Sequence, residues 1–191
     1  MISMTCPAHT LAATRSVNCD DVDLIQHFIE KIPESGVVVD LGVGSGTTAM
    51  AVLCRRADLQ IYSVDKNPAM FRRATKYLED AKVPLDNWRK IELDSVQAAE
   101  RFLDASVSFV LLDTTHTYEG TATEIQAWLP KLTPGGLFWF HDYDAEHAPD
   151  PPRDPQFFYP GVKRAVDEAV ASGQLVFQRR HGWSALTRKP K

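Results

Sequence analysis

The sequence predicts an α/β protein: one doubly wound, mostly parallel sheet with helices on both faces and an antiparallel hairpin at its C-terminal edge. Three observations carry that prediction. Strand-like and helix-like segments alternate from about Ser35 onward. One strand, Val107 to Leu112, is almost wholly apolar, as expected of a strand covered by helices on both sides. Near the end of the chain, Leu175 to Arg179 and Trp183 to Leu186 flank His181-Gly182 and read as two short strands joined by a tight turn.

Each element has a local cause. Residues 1–34 read as a polar arm with one weak helix, Val22 to Ile32, ahead of a main domain over residues 35–191. Such an arm either stays disordered or covers a binding site. Val37-Val38-Val39 is a β-branched strand ending at Asp40, and Thr47 to Arg56 follows with good helix formers. Ile61 to Val64 is a second strand, ending at Asp65. Pro68 suits the first turn of a helix that carries Met70, Ala74, Tyr77, Leu78 and Ala81 at helical spacing. Trp88 to Leu93 is a third strand, ending at Asp94, and Ser95 to Leu103 a helix. After the fourth strand, Thr121 to Leu132 places Ile125, Trp128, Leu129 and Leu132 on one helical face, with Pro130 kinking or shortening the last turn. Pro134-Gly135-Gly136 reads as a turn, and Leu137 to Phe140 as a fifth strand ending at His141-Asp142. Asp144 to Tyr159 holds Pro149, Pro151, Pro152 and Pro155, so it reads as a long loop. Its Phe157, Phe158 and Tyr159 either form an apolar lid over a ligand or cover the last helix. That helix is bracketed by Pro160 and Gly173 and shows Val162, Ala165, Val166, Ala169 and Val170 as its apolar face.

With 191 residues, one domain is the simplest division, and its core needs no staples. The net charge of −4 and the pI of about 5.8 lack the basic surplus of a nucleic-acid binder. Cys6, Cys19 and Cys54 form no C-x-x-C pair and no cluster at zinc spacing, so they read as free thiols in a reducing compartment. Cys54, inside a predicted helix, reads as a small core residue. Met1 to Thr14 lacks the apolar core of a signal peptide, and no apolar run nears the roughly 20 residues of a membrane helix. The cytoplasm is the expected location.

The sharpest motif is Val39-Asp40-Leu41-Gly42-Val43-Gly44-Ser45-Gly46-Thr47, where a strand becomes a helix. Glycines let the backbone turn tightly and approach a ligand closely, and the helix start offers free N–H groups and partial positive charge. Asp65 ends the next strand, where an acid can take both hydroxyls of a ribose. Asp94 ends the third and is placed to accept from an adenine amino group. Each acid alone could be a helix N-cap. Three of them, Asp40, Asp65 and Asp94, at three strand ends beside one glycine loop point instead to a ligand at the carboxyl edge of the sheet.

This spacing resembles the class I methyltransferases that use S-adenosylmethionine (SAM), whose first motif is acid-x-G-x-G-x-G. A dinucleotide-binding enzyme would show G-x-G-x-x-G, and here the third glycine comes one position early. The resemblance covers Ser35 to Lys189. It implies a Rossmann-like sheet of seven strands in the order 3-2-1-4-5-7-6. It also implies SAM as cofactor, with the glycine loop against the methionine part, Asp65 on the ribose and Asp94 facing the adenine. Asp40, Gly42, Gly44, Ser45, Gly46, Asp65, Lys66, Asp94, Ser95 and Asp113 make up the implied cofactor-binding set.

A second constellation follows the fourth and fifth strands: Asp113-Thr114-Thr115-His116-Thr117-Tyr118-Glu119-Gly120 and His141-Asp142-Tyr143. With Trp128-Leu129-Pro130 and Pro134-Gly135-Gly136, it resembles the macrocin O-methyltransferase group, small-molecule enzymes related to the catechol O-methyltransferases. That resemblance implies a divalent metal, magnesium or another, on Asp113, His141 and Asp142. It implies His116 as the catalytic base beside Asp113. Two departures stand out. The catechol-type base is a lysine, and the pair usually begins with a carboxylate, whereas the His141 nitrogen is softer and less suited to magnesium. The plainer reading is that His141 packs or hydrogen-bonds and Asp142 caps the next turn. Amino-directed methyltransferases often carry D/N-P-P-Y/F at the place of Asp113, and this chain does not, which favours an oxygen acceptor.

A hydroxyl acceptor needs activation. Ionising a phenol of pKa near 10 at pH 7 costs about 4 kcal/mol, and an alcohol near 15.7 roughly 12 kcal/mol. An imidazole of ordinary pKa near 6.5 suits a general base at neutral pH. The expected partner is a small molecule, neither nucleic acid nor membrane, with room for a homodimer. A nicotinamide-dependent oxidoreductase, an aminopropyl transferase and a non-catalytic SAM-binding protein are the competing readings. The early third glycine opposes the first, and the lack of a clear set of extra acids the second.

Overall fold

The computed structural model describes residues 6–12, 19–144 and 160–191. The chain forms two compact units, Met1–Asp94 and Ser95–Lys191.

In the first unit, α1 (Pro7–Ala12) and α2 (Cys19–Ile29) precede the sheet. The polar arm expected here therefore contains a helix. Pro7 suits its first turn, where a missing N–H costs no helical hydrogen bond, and its Ala8 and Ala12 are buried. Helix α2 begins and ends earlier than the expected Val22 to Ile32, and Val22, Ile25 and Ile29 form its buried stripe. β1 (Val37–Leu41) is buried from Val38 onward and runs parallel to β2 (Gln60–Val64), with Asp40 opposite Ser63. β3 (Trp88–Ile91) lies parallel on the other side of β2, with Ile61 opposite Trp88, and stops short of the expected Leu93.

Between β1 and β2 lies α3 (Thr47–Arg55), whose residues Thr47 through Leu53 are all buried. Cys54, expected in the core, lies exposed past the end of that run. Helix α4 (Pro68–Asp80) starts where Asn67 accepts a 3.0 Å hydrogen bond from the Ala69 N–H, with Pro68 in the first turn. Its buried stripe is Phe71, Ala74 and Leu78, while the expected Met70 and Tyr77 are only half-buried. Burying Phe71 and Leu78 contributes roughly 1.5–3 kcal/mol each.

The second unit opens with α5 (Ser95–Ala98) and a single 3-10 turn, Ala99–Arg101, shorter than the expected helix to Leu103. β4 (Val107–Leu112) runs parallel to β5 (Leu132–Phe140). Between them α6 (Tyr118–Trp128) begins three residues before the expected Thr121, because the Thr117 hydroxyl caps the Gly120 N–H at 3.1 Å. It ends at Trp128, before Pro130, which cannot continue the hydrogen-bond ladder. Leu132, expected on the helix, is instead the first residue of β5 and pairs with Val107. Pro134-Gly135-Gly136, expected as a turn, lies inside β5. There the register slips from Val107↔Leu132 to Phe109↔Leu137, and Gly135 takes a φ of 76°.

Helix α7 (Pro160–Ala171) buries Val162, Ala165, Val166 and Ala169. β6 (Val176–His181) and β7 (Ser184–Arg188) form the expected hairpin, turning at Gly182 with a φ of 54°. β7 pairs antiparallel with β5. Of the expected long loop, residues 145–159, with the lid aromatics Phe157, Phe158 and Tyr159, lie outside the described residues. The sheet order is β3-β2-β1-β4-β5-β7-β6, as expected. Among the described residues, no helix is long and apolar enough to cross a membrane.

Two glycines of the loop after β1 differ in what surrounds them. A Cβ on Gly46 (φ 80°) would lie 2.8 Å from both Ala74 Cβ and Leu78 Cδ1, so α3 reaches α4 only because that side chain is missing. A Cβ on Gly44 (φ 50°) would meet nothing within 4 Å. Gly46→Ala is therefore expected to destabilise the protein by about 2–4 kcal/mol, from overpacking plus backbone strain, and Gly44→Ala by only ~1 kcal/mol from strain alone. Urea denaturation of the two variants checks this, and equal losses would contradict the packing account.

Candidate functional site

In the first unit, the turn after β1 is built by hydrogen bonds from the end of β2. The Gly42 N–H donates to the Val64 carbonyl at 2.9 Å, and the Val43 N–H to Asp65 Oδ2 at 3.3 Å. Gly42, Gly44 and Gly46 all take positive φ, the conformation only glycine adopts freely. Asp65 is thus brought to the glycine loop as the sequence predicts. Its other oxygen accepts from the Asn67 N–H at 2.8 Å, which fixes the carboxylate plane. Two carboxylate oxygens offer about four acceptor positions, so two hydroxyls of a ribose can still be received.

The remaining predicted positions differ in exposure. Gly44 and Lys66 are exposed, Asp94 and Ser95 half-buried, Ser45 and Gly46 buried. Asp40 is 1% exposed, and Ser63 donates to its Oδ2 at 2.9 Å. It therefore supports the loop from beneath. Arg73, which sequence reasoning passed over, donates from Nε to the Gly44 carbonyl at 3.3 Å. An exposed arginine among the alternating charges of α4 carries no signal of that contact.

In the second unit the carboxyl ends of β4 and β5 bring Asp113, His116, His141 and Asp142 into one cluster. One donor atom from each lies within 4.8 Å of all the others. His116 Nε2 is 2.8 Å from Asp142 Oδ2 and 3.5 Å from Asp113 Oδ1. His141 Nδ1 is 3.0 Å from Asp142 Oδ2 and 3.4 Å from Asp113 Oδ1. The His141 side chain is 1% exposed, the other three between 17% and 19%. Asp142 sits at φ 55°, a left-handed conformation that aspartate tolerates better than most side chains and that recurs at functional sites.

The electrostatics of the cluster follow from this packing. Burial pushes the Asp113 carboxyl up, but the charge and hydrogen bonds of His141 and His116 outweigh it and hold it well below the usual carboxylate range. Burial acts the same way on Asp142, and its two imidazole partners bring it down to about 2. For His116, burial favours the neutral ring, yet Asp113 and Asp142 raise it to about 9. At pH 7 only roughly one His116 in a hundred is then neutral. The ordinary imidazole value that suits a base is not the value this site gives.

Two oxygens and two imidazole nitrogens this close fit a divalent cation. The nitrogens suit zinc, iron or cobalt better than magnesium, which prefers oxygen. Beside the cluster, Glu124 on α6 is 1% exposed. It receives the Thr114 hydroxyl at 2.6 Å and the Ser95 hydroxyl on the same oxygen. Sequence reasoning missed it, although a lone carboxylate on the face carrying Thr121, Ile125 and Trp128 was a legible signal.

A sheet in this strand order, with a glycine turn after β1 and acids after β2 and β3, defines the class I SAM-dependent methyltransferase fold. The chain belongs to the methyltransferase domain family, whose model matches residues 39–143. A search of curated proteins finds no match. Among solved structures, a protein from Corynebacterium glutamicum superposes with a TM-score of 0.79 at 13% identity, covering 100% of this chain and 93% of that one. A SAM-dependent O-methyltransferase from Thermotoga maritima gives 0.69 at 13%, covering 98% and 72%. A methyltransferase from Podospora anserina with bound S-adenosylhomocysteine (SAH) gives 0.69 at 15%, covering 89% and 78%. At these identities the likeness is one of fold.

The cluster gives the ion-free protein a defined pH response. His116 stands above its ordinary 6.5, so its contribution to stability is complete below that pH and is lost as pH rises through about 9. Asp142 stands below its ordinary 3.8, so its contribution is present above that pH and fades as pH falls towards about 2. Thermal melts in a chelator are expected to show the parent losing up to ~3 kcal/mol between pH 6.5 and 10 relative to His116→Ala. A difference independent of pH would contradict the ion-paired cluster.

Proposed function

We propose that this protein transfers a methyl group from SAM to a hydroxyl of a small molecule, in the manner of the macrocin and catechol O-methyltransferase group. The observation that carries the choice of oxygen is the cluster of Asp113, His116, His141 and Asp142, which has what a hydroxyl acceptor needs and an amine acceptor does not. SAM supplies an electrophilic methyl on a sulfonium, so the protein's own contribution is alignment and removal of one proton.

Each residue then has a role. Asp65 receives the ribose hydroxyls, Asp94 and Ser95 take the adenine end, and the backbone of Gly42, Gly44, Ser45 and Gly46 lies against the methionine part, with Lys66 alongside. Asp113, His141 and Asp142 are the residues that would hold a divalent ion. Held there, a divalent ion would supply positive charge that lowers the pKa of an acceptor hydroxyl and would weaken the hold of the two carboxylates on the His116 proton. His116, once neutral, accepts the hydroxyl proton at Nε2 while the oxygen takes the methyl. Without relief of its raised pKa, about 3 kcal/mol of the barrier goes into stripping His116 of its resting proton.

A natural product or sugar is the acceptor class this reading favours, in the cytoplasm, with neither nucleic acid nor membrane as partner and with a homodimer as an open assembly. The net charge of −4 supports the exclusion of nucleic acid.

Two measurements test the reading. Calorimetry with SAM is expected to show Asp65→Ala binding roughly 10–100-fold more weakly, the worth of one or two hydrogen bonds to a charged acceptor. Unchanged affinity would remove Asp65 from the site. Transfer of labelled methyl from SAM to a panel of catechols and glycosides is expected to fall at least about tenfold in EDTA and to recover with zinc, iron or cobalt. Full turnover in the chelator would take the ion out of the account, and labelling of amines alone would refute the hydroxyl acceptor.

A further inference from the structure

Asp40, which supports the loop, lies at the end of a hydrogen-bond chain of three buried residues whose other two members have no role above. Trp88 Nε1 lies 2.9 Å from Ser63 Oγ, and Ser63 Oγ lies 2.9 Å from Asp40 Oδ2. Trp88 is 6% exposed, Ser63 0% and Asp40 1%. The direction of the chain is fixed by chemistry. An indole N–H only donates, so Ser63 must accept from it, and the single hydroxyl hydrogen of Ser63 then goes to the Asp40 carboxylate.

The strand register builds this chain. Asp40 pairs directly with Ser63 across β1 and β2, and Trp88 pairs with Ile61, two residues before Ser63 on the same face of β2. The indole reaches diagonally along the sheet to the serine. The next two residues continue the pattern: Val64, the last of β2, accepts from Gly42, and Asp65, just past the strand, accepts from Val43. Three consecutive residues at the end of β2 therefore hold Asp40, Gly42 and Val43, which lead into the glycine loop. Trp88 acts on the first of the three.

We propose that Ser63 and Trp88 are positioning residues for SAM, holding the Asp40 carboxylate in place and with it the turn at Gly42 that receives the methionine end. The proposal rests on the reading of this loop as the SAM site. Removing the serine hydroxyl leaves a buried carboxylate short of a donor, and the strand end must then shift or hydrate. Either outcome moves backbone groups that have to meet the ligand to within a few tenths of an ångström.

The test uses calorimetry with SAH as the probe on the parent, Ser63→Ala, Trp88→Phe, the double variant, and Ile61→Val as a control. Ile61 is fully buried in the same strand and donates no side-chain hydrogen bond. Circular dichroism melts establish that each protein is folded at the temperature of titration. Ser63→Ala is expected to raise the Kd about tenfold or more, and Trp88→Phe about 3–10-fold. Because Trp88 acts through Ser63, the double variant is expected to match Ser63→Ala to within about twofold, a non-additivity that loss of stability alone does not produce. Ile61→Val is expected to lower the melting temperature and leave the Kd within about twofold of the parent.

Folded variants that bind like the parent would overturn the relay, and so would additive effects or an equal loss in Ile61→Val. If Ser63→Ala does not fold, Trp88→Phe, which keeps most of the ring volume, decides the matter alone. A parent that does not bind SAH overturns the SAM reading itself, whereas a binding parent with unaffected variants overturns only the relay.

Discussion

Asp40 is a carboxylate with 1% of its surface exposed, at the end of the first strand of the sheet. Burying such a group is costly unless its oxygens are hydrogen-bonded, and the cost sets conditions on everything nearby. Ser63 must face it from β2, which fixes the register of the first two strands. With that register set, Val64 and Asp65 fall opposite the backbone N–H groups of Gly42 and Val43, and the chain turns where glycine permits positive φ. Helix α3 then starts close enough to α4 that no side chain fits at Gly46. One satisfied buried charge thus orders the loop, the helix that follows it and the Asp65 carboxylate beside them.

The cluster in the second unit solves a similar problem by other means. Two carboxylates, both partly buried, are held ionised by two imidazoles, and they in turn hold the proton on His116. An imidazole locked in this way is a poor base at neutral pH. The geometry that brings four donor atoms together is also the geometry of a cation site, and the charge of a cation is what would loosen that proton. Base and metal assignments in this cluster therefore depend on each other.

The alternation of apolar strands with amphipathic helices made the layout legible, the methyltransferase resemblance implied the strand order, and the buried β4 core, Val107 to Leu112, fell where it was expected. Errors came where one local device overrode a general pattern. Thr117 starts α6 early by capping it, which helical periodicity does not reveal. Pro134-Gly135-Gly136 has turn composition, yet a register slip absorbs it inside a strand. Met70 was read as core where Phe71 holds that face of α4, since both suit a helical stripe. Spacing singled out Asp65, and the family resemblance singled out Asp113, His116, His141 and Asp142, which the structure brings into one cluster. Ser63, Trp88 and Arg73 stayed invisible because their roles depend on partners about twenty to thirty residues away in sequence. The raised pKa of His116 was equally out of reach, because it is the product of two carboxylates meeting one ring.

The central claim is that the turn after β1 and the acids after β2 and β3 form one binding site for an adenosyl sulfonium. A crystal structure of the protein grown with SAH tests it most directly. The account predicts the ribose hydroxyls on the Asp65 carboxylate, the adenine beside Asp94 and the amino-acid end against Gly42 to Gly46. SAH bound elsewhere, or a glycine loop with no ligand against it at saturating SAH, would contradict it.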